Sequence, residues 1–389
     1  MRSALVLILG LLLASSCARE EAPLSLSYPV WSVGPTPLFS IGGSDERESY
    51  ALFDVRSATI LSDGRVAVAN RGTAEIRFYT SEGGYVGAAG GKGQGPGEYL
   101  TIKEMVRLPG DSLLVLSLRP GLTWTDSLGR YARSLNVTPM DGVAPCRIAA
   151  EGGTFLLRDG RLLLNQDDNP GVPGCPPPND DVHRNTALVT IYDTGNGHSD
   201  TLGVFPSTDR LGPLFLPHGR LLLVEASDQH MFVGDTGADS ILVFDLAGTA
   251  VGALGTPFPR AAIPTRGMEK KEGTWRGSGG KAITTELSYP EVYPRFGRLL
   301  ADEDGFLWVM EYPNVRTARG AWTVALIDGL SQAEPGRTWV ILDPERGPVA
   351  QATMPEGLFP LEIGEDYVLG LVRDEMNVET LLLYRLERG

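Results

Sequence analysis

Histidine is scarce in this chain: four in 389 residues, at His183, His198, His218 and His230. A metal site that gathers imidazoles from distant parts of a fold has little to draw on. Cysteine is scarcer still, at three. Basic residues are outnumbered, 34 Lys and Arg against 48 Asp and Glu, for a net charge of −14. That argues against nucleic acid or an anionic membrane surface as partner, since both select Lys/Arg patches. The acidity serves solubility. No long window keeps a helical period, and no G-x-S-x-G elbow occurs. The stretch "GGKGQGPGEY" from Gly90 to Tyr99 invites comparison with phosphate loops and fails it. No Ser or Thr follows Lys92, and Pro96 and Glu98 stand where a dinucleotide fingerprint needs glycine.

What is abundant is turn chemistry. With 48 Gly and 28 Pro, the chain reads as all-β with many short strands. One strand–turn–strand unit recurs: "EIRFYTSEGGYVGAAG" from Glu75, "GLTWTDSLGRYARSL" from Gly121, "ALVTIYDTGNGHSDTLGVF" from Ala187, "SILVFDLAGTAVGALG" from Ser240 and "TWVILDPERGPVAQATM" from Thr338. In each, an apolar run ends at a polar residue (Thr80, Asp126, Asp193, Asp245, Asp343), and a glycine turn follows. A second hairpin lies upstream of each unit, most clearly "FDVRSATILSDGRVAVAN" from Phe53 and least clearly "GRLLLVEASDQHMFVGD" from Gly219. Two hairpins make a four-stranded unit of about 45 residues, the size of a propeller blade. The last copy, from "FPLEIGEDYVLGLVRDE" into "TLLLYRLERG", has three strands and no fourth. Near the other terminus "TPLFSIGG", residues 36–43, is a strand without a unit. The expected fold is therefore a six-bladed β-propeller over residues 35–389, its ring closed by that N-terminal strand completing the last blade.

The first residues, "MRSALVLILGLLLASSCAREE", combine Arg2, an apolar run from Leu5 to Leu13 and small residues at Ala14, Ser15 and Ser16. This is an export signal, too short for a membrane-spanning helix. A cysteine after the small residues resembles the lipobox of bacterial lipoproteins, although Ala14 stands where Leu is usual. The resemblance implies a signal peptide over residues 1–16, lipid on Cys17 and a linker over residues 17–34. Ala18 after the cysteine implies the outer membrane in a Gram-negative cell. An ordinary secreted protein with an incidental cysteine is the alternative. Cys146 and Cys175 then remain as an even pair in an exported chain, either a disulfide or two buried thiols. A bridge would close a loop of about thirty residues and contribute on the order of 3 kcal/mol.

The stretches "LSDGRVAVANRGTAEIRFYTSEGGYVGAAGGKGQGPGEY" and "PRFGRLLADEDGFLWVMEY" resemble the NHL-like six-bladed β-propeller lipoproteins of bacteria. The resemblance covers residues 25–388. It implies fold more than function, because such propellers serve as binding proteins, scaffolds and enzymes. Exported amidating lyases of the NHL type use metal-binding histidines, and this chain has too few, in too few units, to follow them.

Polar residues near the inner strands, Asp54, Glu104, Arg147 and Arg298, are expected to line the central channel, as a ligand site or as ring-stabilising ion pairs. "NQDDNPG" from Asn165 sets oxygen side chains like a calcium loop but lacks the closing Glu, since Pro176 stands there. A channel or loop Ca2+ is the one cofactor left open. Turns after first and third strands are short, whereas the long insertions (residues 166–185, 256–294 and 313–336) follow second or fourth strands. They are expected to crowd one face and to carry a partner-binding surface with Arg266, Lys270, Trp275, Arg316, Arg319 and Trp322. The chain thus reads as a monomeric, envelope-anchored binding or scaffold protein for a protein, glycan or small molecule. The alternative is a metal-dependent, lactonase-like hydrolase or lyase.

Overall fold

In the computed structural model the described residues are 28–43, 47–118, 121–136, 147–168, 182–212, 214–263, 271–276, 282–312 and 337–389. They form an all-β fold of antiparallel sheets of the propeller type, with one 3-10 turn at Glu48–Tyr50. Among them no helix is long and apolar enough to cross a membrane.

Two short strands come first, β1 (Val30–Val33) and β2 (Phe39–Gly42). The first sheet is β3 (Val55–Ile60), β4 (Val66–Asn70), β5 (Glu75–Tyr79) and β6 (Tyr85–Gly90). The second is β7 (Ile102–Arg107), β8 (Leu113–Ser117), β9 (Gly121–Thr125) and β10 (Tyr131–Asn136). The third is β11 (Arg147–Leu156), β12 (Leu162–Asp168), β13 (Val182–Tyr192) and β14 (Ser199–Leu211), with a short β15 (Leu214–Phe215) on its edge. The fourth is β16 (Leu222–Ala226), β17 (His230–Asp235), β18 (Ser240–Asp245) and β19 (Ala250–Gly255). A separate hairpin, β20 (Lys271–Arg276) and β21 (Ala282–Leu287), lies within the long connection that follows. Then come β22 (Phe296–Ala301), β23 (Leu307–Glu311), β24 (Thr338–Asp343) and β25 (Gly347–Thr353) as a fifth unit, and β26 (Phe359–Ile363), β27 (Tyr367–Arg373) and β28 (Glu379–Glu387) as the last.

The N-terminal strands pair with the C-terminal ones. β2 runs antiparallel to β28, with Phe39 opposite Leu383 and Gly42 opposite Thr380. β1 inserts between units: it pairs parallel with β25 and antiparallel with β28, joining the fifth and last units into one nine-stranded sheet. The stretch read as a linker therefore contains a pairing strand. Its Trp31 is buried, with Trp308 at a ring-centroid distance of 5.7 Å.

The turns explain why the hairpins form. Asp126, Asp245, Asp302 and Asp374 each accept hydrogen bonds from backbone N–H groups two and four residues on. Each carboxylate thus replaces bonds that the reversing backbone cannot make to itself. The residue needing positive φ is Gly129, Gly248 and Gly305 in three of these turns and Asn377 in the fourth. The poorly matching "EASDQH" turn works by another route. Ser227 Oγ accepts from the N–H groups of Gln229 and His230.

Second strands such as β4 and β8 are buried along their whole length, because sheets cover both their faces. The apolar clusters lie between successive units. One joins Ile76 and Phe78 to Ile102 and Met105, between the first and second sheets. Another joins Leu369, Leu371 and Leu381 of the last unit to Val66, Val68 and Tyr79 of the first.

Candidate functional site

The first strands of the units pack side by side: β26 on β3, β3 on β7, β7 on β11, β11 on β16 and β16 on β22. Together they wall a cavity of about 1120 Å3. An innermost strand has one free edge, so its side chains face either a neighbouring sheet or the void. Three of these strands change register at a bulge immediately before a charged residue. The shift falls between Ile102 and Glu104, between Phe296 and Arg298, and between Pro360 and Glu362. A bulge bends its strand and re-aims the following side chain. Glu104, Arg298 and Glu362 all line the cavity, as does Glu225 on the unbulged β16.

These four side chains are half-buried and line the cavity. Glu104 Oε2 accepts a 2.7 Å hydrogen bond from the Leu156 N–H of the third sheet. Burial, opposed by that bond and reinforced by the charge of Glu225, pushes the Glu104 carboxyl up to about 8. Glu225 Oε1 accepts from the N–H of Ala226, and burial pushes its carboxyl up to about 7 against the pull of that bond and of Arg298. Burial holds the Arg298 guanidinium down to about 10, with Glu225 pulling the other way. Arg298 lies 3.6 Å over the Phe359 ring, and its Nη1 is buried without a hydrogen-bond partner. Glu362 Oε1 accepts from Ile60 N–H at 2.9 Å and from Tyr367 O–H at 2.7 Å, which ties the last unit to the first. Burial raises its pKa, and the same effect raises that of Tyr367.

The other wall charges are paired. At the end carrying the turns between first and second strands, Arg158 meets Asp228 at 2.9 Å and Arg107 meets Glu303 at 3.8 Å. Toward the opposite end Arg210 pairs with Asp167 at 3.1 Å and lies over the Phe215 ring. Two carboxyls with raised pKa values beside a guanidinium that has no ion pair among the described residues can hydrogen-bond, exchange protons and receive a charged ligand.

Of the residues expected in the channel, Glu104 and Arg298 are there. Asp54 is not. It precedes β3 at φ +54, outside the cavity lining, and binds Arg56, which does line the cavity, and Arg71 at 3.1 and 3.3 Å. Arg147 opens β11, and its side chain lies outside the described residues. Glu225 and Glu362 were missed in the sequence, although each is a lone acid in an apolar first strand, "LLLVEA" and "FPLEI". Cys17, Cys146, Cys175, Arg266, Lys270, Arg316, Arg319 and Trp322 lie outside the described residues. Trp275 is placed on β20 by its backbone alone.

"NQDD", read as the start of a calcium-type loop, is strand β12. Asn165 donates to Leu222 O, Asp167 is held by Arg210, and Asp168 by Thr186. Among the described residues no three His, Cys, Asp or Glu side chains converge as a metal site. His218 is in a turn at φ +56 and buried. It meets Tyr312 O–H at 2.8 Å and packs among Tyr289, Tyr293 and Tyr312, and burial holds it down to about 4.

No protein-family model matches the chain, and no curated protein does. Solved structures do resemble it. A member of the DUF4221 family from Bacteroides vulgatus is 11% identical with a TM-score of 0.49, over 92% of this chain and 98% of that one. The calcium-binding protein regucalcin from Agrobacterium tumefaciens is 11% identical with a TM-score of 0.41, over 93% and 97%. Virginiamycin B lyase from Staphylococcus aureus is 8% identical with a TM-score of 0.37, over 90% and 98%.

Proposed function

We propose that this chain is an exported, lipid-anchored binding protein: a six-bladed β-propeller of the NHL-like kind that holds a small polar ligand in its central channel. The signal over residues 1–16, Cys17 and the linker would supply export and anchoring. Support for ring closure comes from β2 on the edge of β28 and from the apolar cluster shared by the last unit and the first. The observation that carries the binding reading is the cavity of about 1120 Å3 with Glu104, Glu225 and Arg298 on its wall, none in an ion pair among the described residues. Structural ion pairs would neutralise one another, as Arg158 and Asp228 do. A wall that keeps polar groups uncommitted deep in a concave site is built for a ligand.

The mouth used would be the one on the long-insertion side. Arg107 and Glu303 cross the other end, and the long connections would surround the open one. Contacts from Arg266, Lys270, Trp275, Arg316, Arg319 and Trp322 then become a rim that selects what enters, or a surface for a protein or glycan in the envelope. The raised carboxyls favour a second reading, a propeller-type hydrolase or lyase using Glu104 and Glu225 as acid and base. Metal dependence finds less support, since Glu104 and Glu225 supply too few oxygens for a calcium ion, which takes about six to eight.

A thermal-shift screen with sugars, polyamines, organic acids, amino acids and short peptides tests the channel. At a hundred times its Kd a ligand stabilises by about 2.7 kcal/mol. At least one class should raise the Tm of the parent and fail to raise that of Lys103→Trp, whose ring would fill the void from an exposed wall position. No shift from any class, or equal shifts in both proteins, overturns the reading.

A further inference from the structure

Three groups on the cavity wall are uncommitted in complementary ways. The Arg298 guanidinium makes no hydrogen bond and no ion pair among the described residues, and its Nη1 is buried without a partner. It lies near enough to Glu225 for each to shift the other's titration, yet the two form no direct ion pair. Glu104 and Glu225 each accept one backbone hydrogen bond, through Oε2 and Oε1 respectively, and no cation pairs with either among the described residues. Other wall charges have partners: Arg56 with Asp54, Arg107 with Glu303, Arg158 with Asp228 and Arg210 with Asp167.

A buried guanidinium with open donors selects an anionic oxygen, most strongly a carboxylate, which it can bind through two parallel bonds. Two neighbouring carboxyls with open oxygens select a group with several N–H donors and positive charge. The cavity holds both at once, and an ion bringing only one charge would leave the other side unsatisfied. On the channel-binding reading above, we infer that the ligand is a small zwitterion of the amino-acid or short-peptide class, its carboxylate on Arg298 and its ammonium between Glu104 and Glu225.

The arrangement has a proton consequence. Glu104 holds its proton at neutral pH because burial and Glu225 both oppose its ionisation. An ammonium seated between the two acids reverses that balance, so binding expels a proton. The charged group that acts on the pair is Arg298 from β22; Lys103 from the same strand as Glu104, and Glu362 from β26, held by Ile60 and Tyr367, line the same cavity.

Isothermal titration of the purified, detergent-solubilised protein tests this. The probes are free L-amino acids of each side-chain class and L-alanyl-L-alanine, each also as its N-acetyl and its C-terminal amide form. At least one free zwitterion should bind, with both blocked forms at least about tenfold weaker, a difference of about 1.4 kcal/mol. Repeating the titration at pH 7 in buffers of different ionisation enthalpy should show between one and about one and a half protons released, and Glu104→Gln should release about one fewer, the remainder coming from Glu225. In Arg298→Gln the free acid and the amide should bind alike. Blocked forms that bind as well as free ones, or no binding by any zwitterion, overturn the proposal. If sugars or organic acids still shift the parent and not Lys103→Trp, the channel reading stands without it; if nothing does, both fall.

Discussion

Arg107 and Glu303 meet at 3.8 Å although one ends the first strand of the second sheet and the other lies in the first turn of the fifth unit. Arg107 also donates to the Ile60 carbonyl of the first sheet, and the Glu303 N–H donates to Ile363 of the last. Four units are thus linked through two residues at one end of the cavity. Both side chains keep about 30% exposure, so solvent screens the pair and its loss should barely affect stability.

Glu303→Gln should therefore change stability by less than about 1 kcal/mol. If this pair obstructs one mouth, ligand association and dissociation should both speed up, leaving affinity nearly constant. Stopped-flow binding reads both rates; unchanged rates would remove the pair from any part in access.

The channel acids should be visible in pH-dependent stability. In the folded chain Glu104 titrates at about 8, against about 4.3 for an unfolded glutamate. Between those values the folded state holds a proton that the unfolded state has lost, so stability falls as pH rises through the window. Glu104→Gln has no such proton. The variant should match the parent near pH 4 and exceed it at pH 9 by at least about 1 kcal/mol, the worth of one pKa unit. Urea melts at the two pH values measure this. A variant less stable than the parent at pH 9 would mean that Glu104 ionises freely.

The N-terminal clasp should be energetically essential. Ile41 on β2 is fully buried among Leu369, Leu371 and Leu381. Ile41→Asp places an unpaired carboxyl there, and its cost should exceed about 3 kcal/mol. The unpaired edge of β28 would be exposed and the chain should aggregate. Thermal melting with light scattering checks this; an unchanged, monomeric protein would show that β2 is not structural.

The proposed lipid anchor rests on Cys17. Cys17→Ser should move the protein from the membrane fraction to a soluble exported fraction, or leave an uncleaved precursor. Metabolic lipid labelling that persists in this variant would exclude that cysteine as the attachment site.

Much of the fold was legible in the sequence because the hairpin turns carry local chemistry. An aspartate two residues before an apolar residue and three before a glycine or asparagine marks a reversal wherever the turn lies, as at Asp126 and Asp245. β1 was not legible. "VWSV" is four residues long, and what fixes it is the slot between β25 and β28, which arises only when the ends of the chain meet. Half of the channel set was legible for a similar reason. Glu104 stands beside Lys103 and Arg298 follows the break at Gly297, whereas Glu225 and Glu362 are single acids in runs that read as core. Asp54 misled because it directly precedes an inner strand. At its positive φ it pairs with Arg71 and with Arg56, and of these three only Arg56 lines the cavity.

The central claim is that the cavity, and not the rim, holds the ligand. Native mass spectrometry of the protein isolated gently from its own membrane addresses this directly. The parent should carry an added mass of small-molecule size. Lys103→Trp should lack it, and a variant with residues 313–336 shortened to a tight turn should keep it. Retention of that mass by Lys103→Trp together with its loss on shortening residues 313–336 would contradict the account and move the binding site to the rim.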